Sequence, residues 1–239
     1  MREARKILEK DRIRNCNVLN FIEDYGAENL FIEGSSVMVK GRSDHLWTYI
    51  SSESEEELKI LMQNLTPEDQ HFAIIEDWMM PILFHKRRII WTLSCMKLYF
   101  PDDRELPENE IRISELSPLD SQLIYQSSNY QEFTSVEYIL ERMKKGIGLG
   151  IYEKEKPAAW ILTHDDGAMG FLHVMPDYRR NGYAFQLTVA MIRRLREEGK
   201  VPFVHIEEEN EKSMNLSLNA GFVKDRRIHW VKIEKNRRE

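Results

Sequence analysis

Apolar residues along the chain recur with two different periods, which predict alternating helices and short strands. In residues 2–25 they fall mostly at three- and four-residue steps, the spacing of an amphipathic helix. Ser52 or Ser54 can cap a further helix over 55–64, because the glutamates that follow would lie at its positive end. Short apolar runs bounded by turn residues predict strands at 29–33, 37–40, 46–50, 72–75 and 89–99.

The pattern changes after residues 101–109, where two prolines and a dense run of charges predict a linker. Beyond it the periods predict strands at 111–113, 147–152, 158–163, 169–175, 201–206 and 228–233, and helices at 118–126, 135–145, 185–197 and 212–219. This order predicts an α/β (α+β) fold with a mixed sheet. We therefore expect a smaller α+β domain of unknown role over 1–100, the linker, and a second domain over 110–239.

Composition narrows the class of protein. The chain has 239 residues, and its 42% hydrophobic and 31% charged residues are typical of a soluble globular protein. A net charge of −6 argues against general nucleic-acid binding, which needs a basic face. The longest apolar stretch, 78–84, is too short for a membrane helix, and the charged N-terminus does not resemble a signal peptide. We expect a cytoplasmic protein with no membrane partner; its oligomeric state stays open.

The two cysteines, Cys16 and Cys95, agree with this expectation. No pair of closely spaced cysteines or histidines has the spacing of a zinc site, so we expect no metal. A disulfide between the two would need an oxidising compartment, which nothing else in the sequence indicates. We expect two thiols.

The most informative segment is the turn between the 169–175 strand and the 185–197 helix. It reads Arg179-Arg180-Asn181-Gly182-Tyr183-Ala184. The first amides of a helix lack partners inside the helix and favour an anion, and Gly182 can adopt the left-handed backbone that lets a ligand approach. The small side chain of Ala184 leaves room for such an anion, and Arg179 and Arg180 add positive charge. The alternative is a plain connection with solvated arginines.

This turn resembles the Q/R-x-x-G-x-G/A signature of the GNAT superfamily of N-acetyltransferases, which binds the diphosphate of coenzyme A. The elements around it follow the family order, and Asn210-x-x-Ser213-x-x-Leu216, leading to Ala220-Gly221-Phe222, is similar to the closing helix of the family. The resemblance extends from about residue 110 to the C-terminus. Within the superfamily, residues 210–217 are similar to the branch of glycine N-acyltransferase-like proteins.

The resemblance implies a fold and a set of coenzyme A contacts. The fold is a GNAT-like mixed central sheet with flanking helices, and residues 1–100 would be a degenerate second GNAT-like half, as in two-lobed members. Backbone groups of Leu172, His173 and Val174 would pair with the pantetheine arm. The turn residues Arg179, Arg180, Asn181, Gly182, Tyr183 and Ala184 would hold the diphosphate, and Asn210 and Ser213 would flank the arm.

The catalytic positions of the family are altered in this chain. Ala168 stands where many members have a glutamate base, and Ser217 stands where the acidic tyrosine is expected. A serine is a poor acid, although it can relay a proton or hydrogen-bond the leaving sulfur. Alternation along the strand would place Asp166 on the same side as Ala168, so we hypothesise that Asp166 takes or relays the amine proton. The alternative is a plain turn residue. Weaker candidates are Asp165, His173 and Glu207.

We therefore expect a GNAT-type acyltransferase, most simply an acetyltransferase. Its cosubstrate would be acetyl-CoA or another acyl-CoA, and its acceptor a primary amine. The amine would attack directly in a ternary complex, since neither cysteine lies in the setting of a nucleophile. The alternative is a non-catalytic acyl-CoA sensor or interaction module, which the altered positions favour. A third possibility is a different nucleotide bound at the same turn.

Overall fold

The computed structural model describes residues 1–235; residues 236–239, the end of the predicted second domain, lie outside the described part. The strands are β1 Asn29–Glu33, β2 Ser36–Arg42, β3 Leu46–Ser51, β4 His71–Glu76, β5 Ile89–Tyr99, β6 Ser114–Glu115, β7 Gly148–Glu153, β8 Lys156–Thr163, β9 Met169–Val174, β10 Phe203–Ile206 and β11 Val223–Ile233. The α-helices are α1 Arg2–Leu8, α2 Arg12–Tyr25, α3 Glu55–Met62, α4 Met80–Phe84, α5 Ser121–Ser127, α6 Val136–Lys145, α7 Tyr183–Glu197 and α8 Glu211–Ala220.

These elements form two compact units that are not consecutive stretches of chain. Among the described residues, unit 1 comprises 1–97, 206–210 and 224–235, and unit 2 comprises 98–205 and 211–223. Most of β11 is therefore grouped with the N-terminal elements, after the chain has passed through unit 2. Within residues 1–235, none of the helices combines the length and the apolar character that a bilayer span requires.

Unit 1 is a mixed sheet with the strand order β1-β2-β3-β4-β11-β5. The first three strands are antiparallel, β3 and β4 are parallel, and β11 is antiparallel to β4. Buried side chains of β2, β3 and β4 pack with α1 and α2 in one cluster and with α3 and α4 in another. The sheet of unit 1 is thus covered by helices, as the apolar patterns of its strands require.

The single helix predicted over 2–25 is interrupted in the structure. A short 3₁₀ segment, Glu9–Asp11, separates α1 from α2. The side chain of Asp11 accepts a hydrogen bond from the Arg14 amide at 2.9 Å and so begins a new helix. The apolar pattern over 2–25 predicts one helix because it continues through this segment. The break comes from the Asp11 cap, which the pattern does not include.

Unit 2 contains the order β10-β9-β8-β7-β6. Strands β6 to β9 are antiparallel neighbours, whereas β10 is parallel to β9 and is reached through the crossover helix α7. The predicted α/β (α+β) class, with a mixed central sheet and flanking helices, is confirmed. The first strand of this unit lies at Ser114–Glu115 rather than at the predicted 111–113.

Residues 101–109, predicted as a linker, are bound to the outer side of α7. Arg196 donates hydrogen bonds to the carbonyls of Pro101, Asp102 and Arg104, and Arg193 donates to Pro107 O and Asn109 Oδ1. These two arginines of α7 therefore bind the segment 101–109, mostly through its backbone carbonyls.

Candidate active site

Strand β9 diverges from its parallel neighbour β10 almost as soon as the two meet. In the described chain, their ladder consists of the pair Val204–Met169. On its other edge, β9 pairs with β8 as far as Val174, opposite Ala159. The β10-side edge of β9 after Met169 therefore offers backbone groups that the sheet does not use, and buried strand edges of this kind need hydrogen-bond partners.

A β-bulge lies in the part of β9 that diverges. The register with β8 changes between Trp160, opposite His173, and Leu162, opposite Gly170, so that β9 has two residues where β8 has one. Phe171 adopts a φ of +52°, which is rare for a bulky residue. Such strain accompanies functional sites more often than plain connections, and the bulge redirects the backbone at the divergence.

The turn after β9 carries two residues with left-handed backbone. Arg180 has a φ of +67°, and Gly182, which precedes helix α7, has a φ of +76°. A Cβ at Gly182 would meet nothing within 4 Å, so the turn is open on that side. Among the described residues no side chain caps α7, and its first amides keep their capacity to bind an anion.

The predicted diphosphate-binding residues are contiguous and face solvent to different extents. Arg179, Arg180, Asn181 and Gly182 are exposed, while Tyr183 and Ala184 are half-buried. Arg179 Nε donates to the carbonyl of Val174 at 3.2 Å, and the Tyr183 hydroxyl donates to Glu153 at 2.7 Å. The hydrogen bond to this carboxylate raises the pKa of Tyr183. The structure thus brings the turn, its arginines and the edge of β9 together.

His173 lies on β9 between the other two predicted pantetheine contacts, Leu172 and Val174, and all three are half-buried. Its ring stacks on Trp160, with 4.8 Å between ring centroids. Burial, and then the positive charge of Arg179, lower the pKa of His173 below its usual value. The imidazole therefore favours its neutral form at pH 7.

Asp166 is almost fully buried in the turn that leads into β9. Its Oδ1 accepts the amide of Ala168 at 3.0 Å, a turn-forming contact of the kind that aspartate favours. Its Oδ2 lies 3.9 Å from Nδ1 of His205 on β10. The sequence reasoning missed His205, since no local motif connects residues so far apart in the chain; only the pairing of β9 with β10 brings them together.

The remaining predicted site residues lie at or near α8. Ser213 is half-buried and Ser217 is buried in this helix, whereas Asn210 is exposed just before it. Helix α8 lies against α7 and ends at Ala220, and the amide of the next residue, Gly221, donates to Ser217 O at 3.1 Å. Ala168, at the position where the resemblance expects a glutamate, is fully buried.

The weaker candidates fall in different places. Asp165 Oδ1 lies 3.4 Å from the Tyr138 hydroxyl in unit 2, and Glu207 belongs to unit 1. Cys95 is a buried thiol whose pKa is raised to about 12, first by burial and then by Glu207, which makes it a poor nucleophile. Residues 1–235 contain no group of three or more side chains that could hold a metal ion.

Comparisons with known proteins agree with this geometry. Residues 148–231 match the family model described as FR47-like protein, and this span contains β9, the turn and α7. A search of curated protein sequences finds no significant match. Among solved structures, a Drosophila protein superposes with a TM-score of 0.77 at 17% identity, covering 98% of this chain and 97% of the other.

Two further neighbours carry a family name. A protein from Novosphingobium aromaticivorans, assigned to the GNAT acetyltransferases, superposes with a TM-score of 0.58 at 15% identity over 92% of this chain and 97% of its own. The chain has the GNAT fold. A tandem GNAT protein of the clavulanic acid biosynthesis pathway superposes with a TM-score of 0.52 at 10% identity, covering 94% and 89%. Since both identities are low, these GNAT neighbours establish the fold alone.

Proposed function

We propose that unit 2 binds an acyl-coenzyme A at the divergence of β9 and transfers its acyl group to a primary amine. One observation carries this proposal: the edge of β9 that β10 leaves unpaired leads, through the turn at 175–182, to a helix N-terminus that no described side chain caps. The first can pair with an extended amide-containing arm, and the second can bind a diphosphate. Coenzyme A contains both groups in that order. The GNAT fold and the FR47-like match to the same span support this assignment.

The predicted contacts are distributed along this path. Backbone groups of Leu172, His173 and Val174 would pair with the pantetheine arm, and Arg179 would release the Val174 carbonyl on binding. The diphosphate would lie on the amides of residues 180–184. Ser213 of unit 2 is proposed to flank the arm, whereas Asn210 belongs to unit 1.

The proposed reaction depends mainly on the positions of the amine and the thioester and less on acid or base catalysis. The amine nitrogen attacks the thioester carbonyl directly, the C–S bond breaks, and the thiolate leaves with a proton. Ser217 is proposed to hydrogen-bond or relay a proton to the leaving sulfur. Acetyl is the simplest acyl group, and the cytoplasm is the proposed compartment.

Two finer assignments belong to the same proposal. We place the chain near the glycine N-acyltransferase-like branch because of residues 210–217. We also propose that unit 1 is a degenerate GNAT-like half, because it too contains parallel strands, β3 and β4, joined through a helix. The tandem GNAT neighbour supports a two-lobed architecture.

A substitution at Gly182 tests the coenzyme A site. Gly182→Glu introduces a negative charge and a strained backbone at the turn, and we expect coenzyme A affinity to fall by at least about 100-fold, as measured by calorimetric titration. The matched control is Gly199→Glu. Gly199 also has a positive φ, +67°, with nothing within 4 Å of a Cβ, but it lies at the other end of α7. Equal coenzyme A affinity in the two variants would reject the site.

A non-catalytic acyl-CoA sensor remains the second candidate, since Ala168 and Ser217 replace the expected base and acid. Thiol release from acetyl-CoA, measured with a panel of primary amines, separates the two functions. Release that requires an amine supports the transferase. Saturable binding without release supports the sensor.

A further inference from the structure

The divergence of β9 and β10 contains a buried carboxylate–imidazole pair. The side chains of Asp166 and His205 are 3% and 8% exposed, and their nearest atoms, Oδ2 and Nδ1, are 3.9 Å apart. The other carboxylate oxygen accepts the Ala168 amide at 3.0 Å, which holds the carboxylate in place. A carboxylate is rarely buried to this extent unless something in its surroundings stabilises its charge.

The position of the pair matters as much as its burial. His205 directly follows Val204, the residue that forms the ladder with Met169, so it stands on β10 where the two strands begin to separate. Asp166 approaches the same point from the turn before β9, next to the fully buried Ala168.

We propose that His205 is the base of the acyl transfer and that Asp166 is its positioning residue. This inference rests on the proposed function. The amine nitrogen forms the C–N bond, and its proton passes to Nε2 of His205, directly or through one water. Asp166 faces Nδ1 and so stabilises the imidazolium. When the C–S bond breaks, the imidazolium returns the proton to the thiolate, and the pair is restored.

The alternative is a pair that only stabilises the fold. Asp166 would then serve to form the turn, and His205 would serve as a packed ring, 5.3 Å from that of Phe203 on the same strand. The two interpretations differ in kinetics, because a structural pair alters folding or substrate affinity, whereas a proton-handling pair alters turnover.

The test compares His205→Ala, His205→Gln and Asp166→Asn with the unaltered protein. Calorimetry gives the affinity for coenzyme A, and thiol release from acetyl-CoA with the best amine of a panel gives kcat and KM. We expect about a 100-fold fall in kcat for both His205 variants and about a tenfold fall for Asp166→Asn, with coenzyme A affinity unchanged. Imidazole in the buffer should restore part of the activity of His205→Ala. The exposed His85→Gln is the control for loss of a histidine.

Several results would overturn the inference. One is a kcat within threefold of the unaltered protein in both His205 variants. A second is a fall in kcat that is matched by an equal loss of coenzyme A affinity and of thermal stability in all three variants. Coenzyme A binding without amine-dependent thiol release would also overturn it, since the pair would have no proton to move. Absence of coenzyme A binding in the unaltered protein is distinct, because it rejects the proposed function itself.

Discussion

The crossover β9–α7–β10 of unit 2 and the crossover β3–α3–β4 of unit 1 have the same order of elements but opposite chemistry where their helices begin. Helix α7 follows a glycine with left-handed backbone, and within residues 1–235 no side chain caps it. Helix α3 is capped by Ser54, whose side chain accepts the Glu57 amide at 3.2 Å, and its first turn contains three glutamates. The amides of α7 are open to an anion, whereas α3 already holds negative charge at its positive end.

The groups around the start of α3 also have partners within the protein. In unit 1, Arg14 of α2 donates to Ser52 O at 2.7 Å, to Glu53 at 2.8 Å and to Glu76 at 2.6 Å. The Arg14 side chain therefore binds the carbonyl and the carboxylate just before α3 and the carboxylate at the end of β4. Comparison of the crossovers teaches that the path of the chain alone does not make an anion site. What decides is whether the chain itself supplies partners for the groups exposed there.

The largest effect is expected from Arg14→Ala. Glu76 would keep Arg226 but lose its second guanidinium partner, and the exposed Glu53 and the Ser52 carbonyl would lose Arg14. We therefore expect the free energy of unfolding to fall by about 2 kcal/mol, with no change in coenzyme A affinity. Urea denaturation measures the first and calorimetry the second. Arg12→Ala, on the exposed side of the same helix, is the control. A change in coenzyme A affinity would contradict the expectation that this part of unit 1 does not affect coenzyme A binding.

The next effect concerns the other crossover. Replacing both Arg179 and Arg180 by alanine removes two positive charges from the turn while keeping its glycine. We expect the double variant to bind coenzyme A roughly tenfold more weakly than the unaltered protein. In 1 M salt the two affinities should be closer, because salt screens exposed charges. Arg194→Ala, which affects only surface ion pairs with Glu197 and Glu198, should bind coenzyme A normally. Unchanged affinity in the double variant would assign binding to the backbone amides alone.

The smallest effect is a pH dependence in unit 1. Burial, followed by the charges of His45 and Lys232, lowers the pKa of His71 to about 4, and its Nε2 is buried without a described partner. The unfolded chain binds this proton near pH 6.5, so stability is present above that pH and falls as pH drops toward 4. After allowance for solvent screening, we expect a loss of about 1 kcal/mol between pH 7 and pH 5.

Urea denaturation at both pH values measures this loss. It should be smaller in His71→Gln than in the unaltered protein, and the exposed His85→Gln should leave it unchanged. Coenzyme A affinity at pH 7 should be the same in all three proteins. If His71→Gln retained the full pH dependence, another group would be responsible.

The features that could be predicted from the sequence are local. The turn Arg179–Ala184 is contiguous, and the same few residues determine its backbone and the start of the helix that follows. Ser52 or Ser54 was predicted to cap α3 for the same reason, and the structure shows that Ser54 does. In contrast, the break at Asp11 depends on one side-chain hydrogen bond within an otherwise continuous apolar pattern. Local signals therefore predicted most elements to within a few residues.

Features that depend on residues far apart in the chain could not be predicted from local patterns. His205 lies 39 positions after Asp166 in the chain (205 − 166). The parallel pairing of β9 and β10 brings Nδ1 of His205 to 3.9 Å from Oδ2 of Asp166. The pairing of β11 with β4 is another example, since an apolar run predicts a strand but not its neighbour. Arg193 and Arg196 likewise donate to carbonyls about ninety residues earlier in the chain, and no local pattern predicts such contacts.

The pairing of β11 with β4 has a consequence for how the protein is made. The ribosome releases residues 1–97 long before residues 224–233, yet the sheet of unit 1 needs both. Unit 1 must therefore wait, with the edge of β4 uncovered, until residues 224–233 have been synthesised. A nascent chain that stalls before residue 223 would expose that edge to chaperones and to other chains.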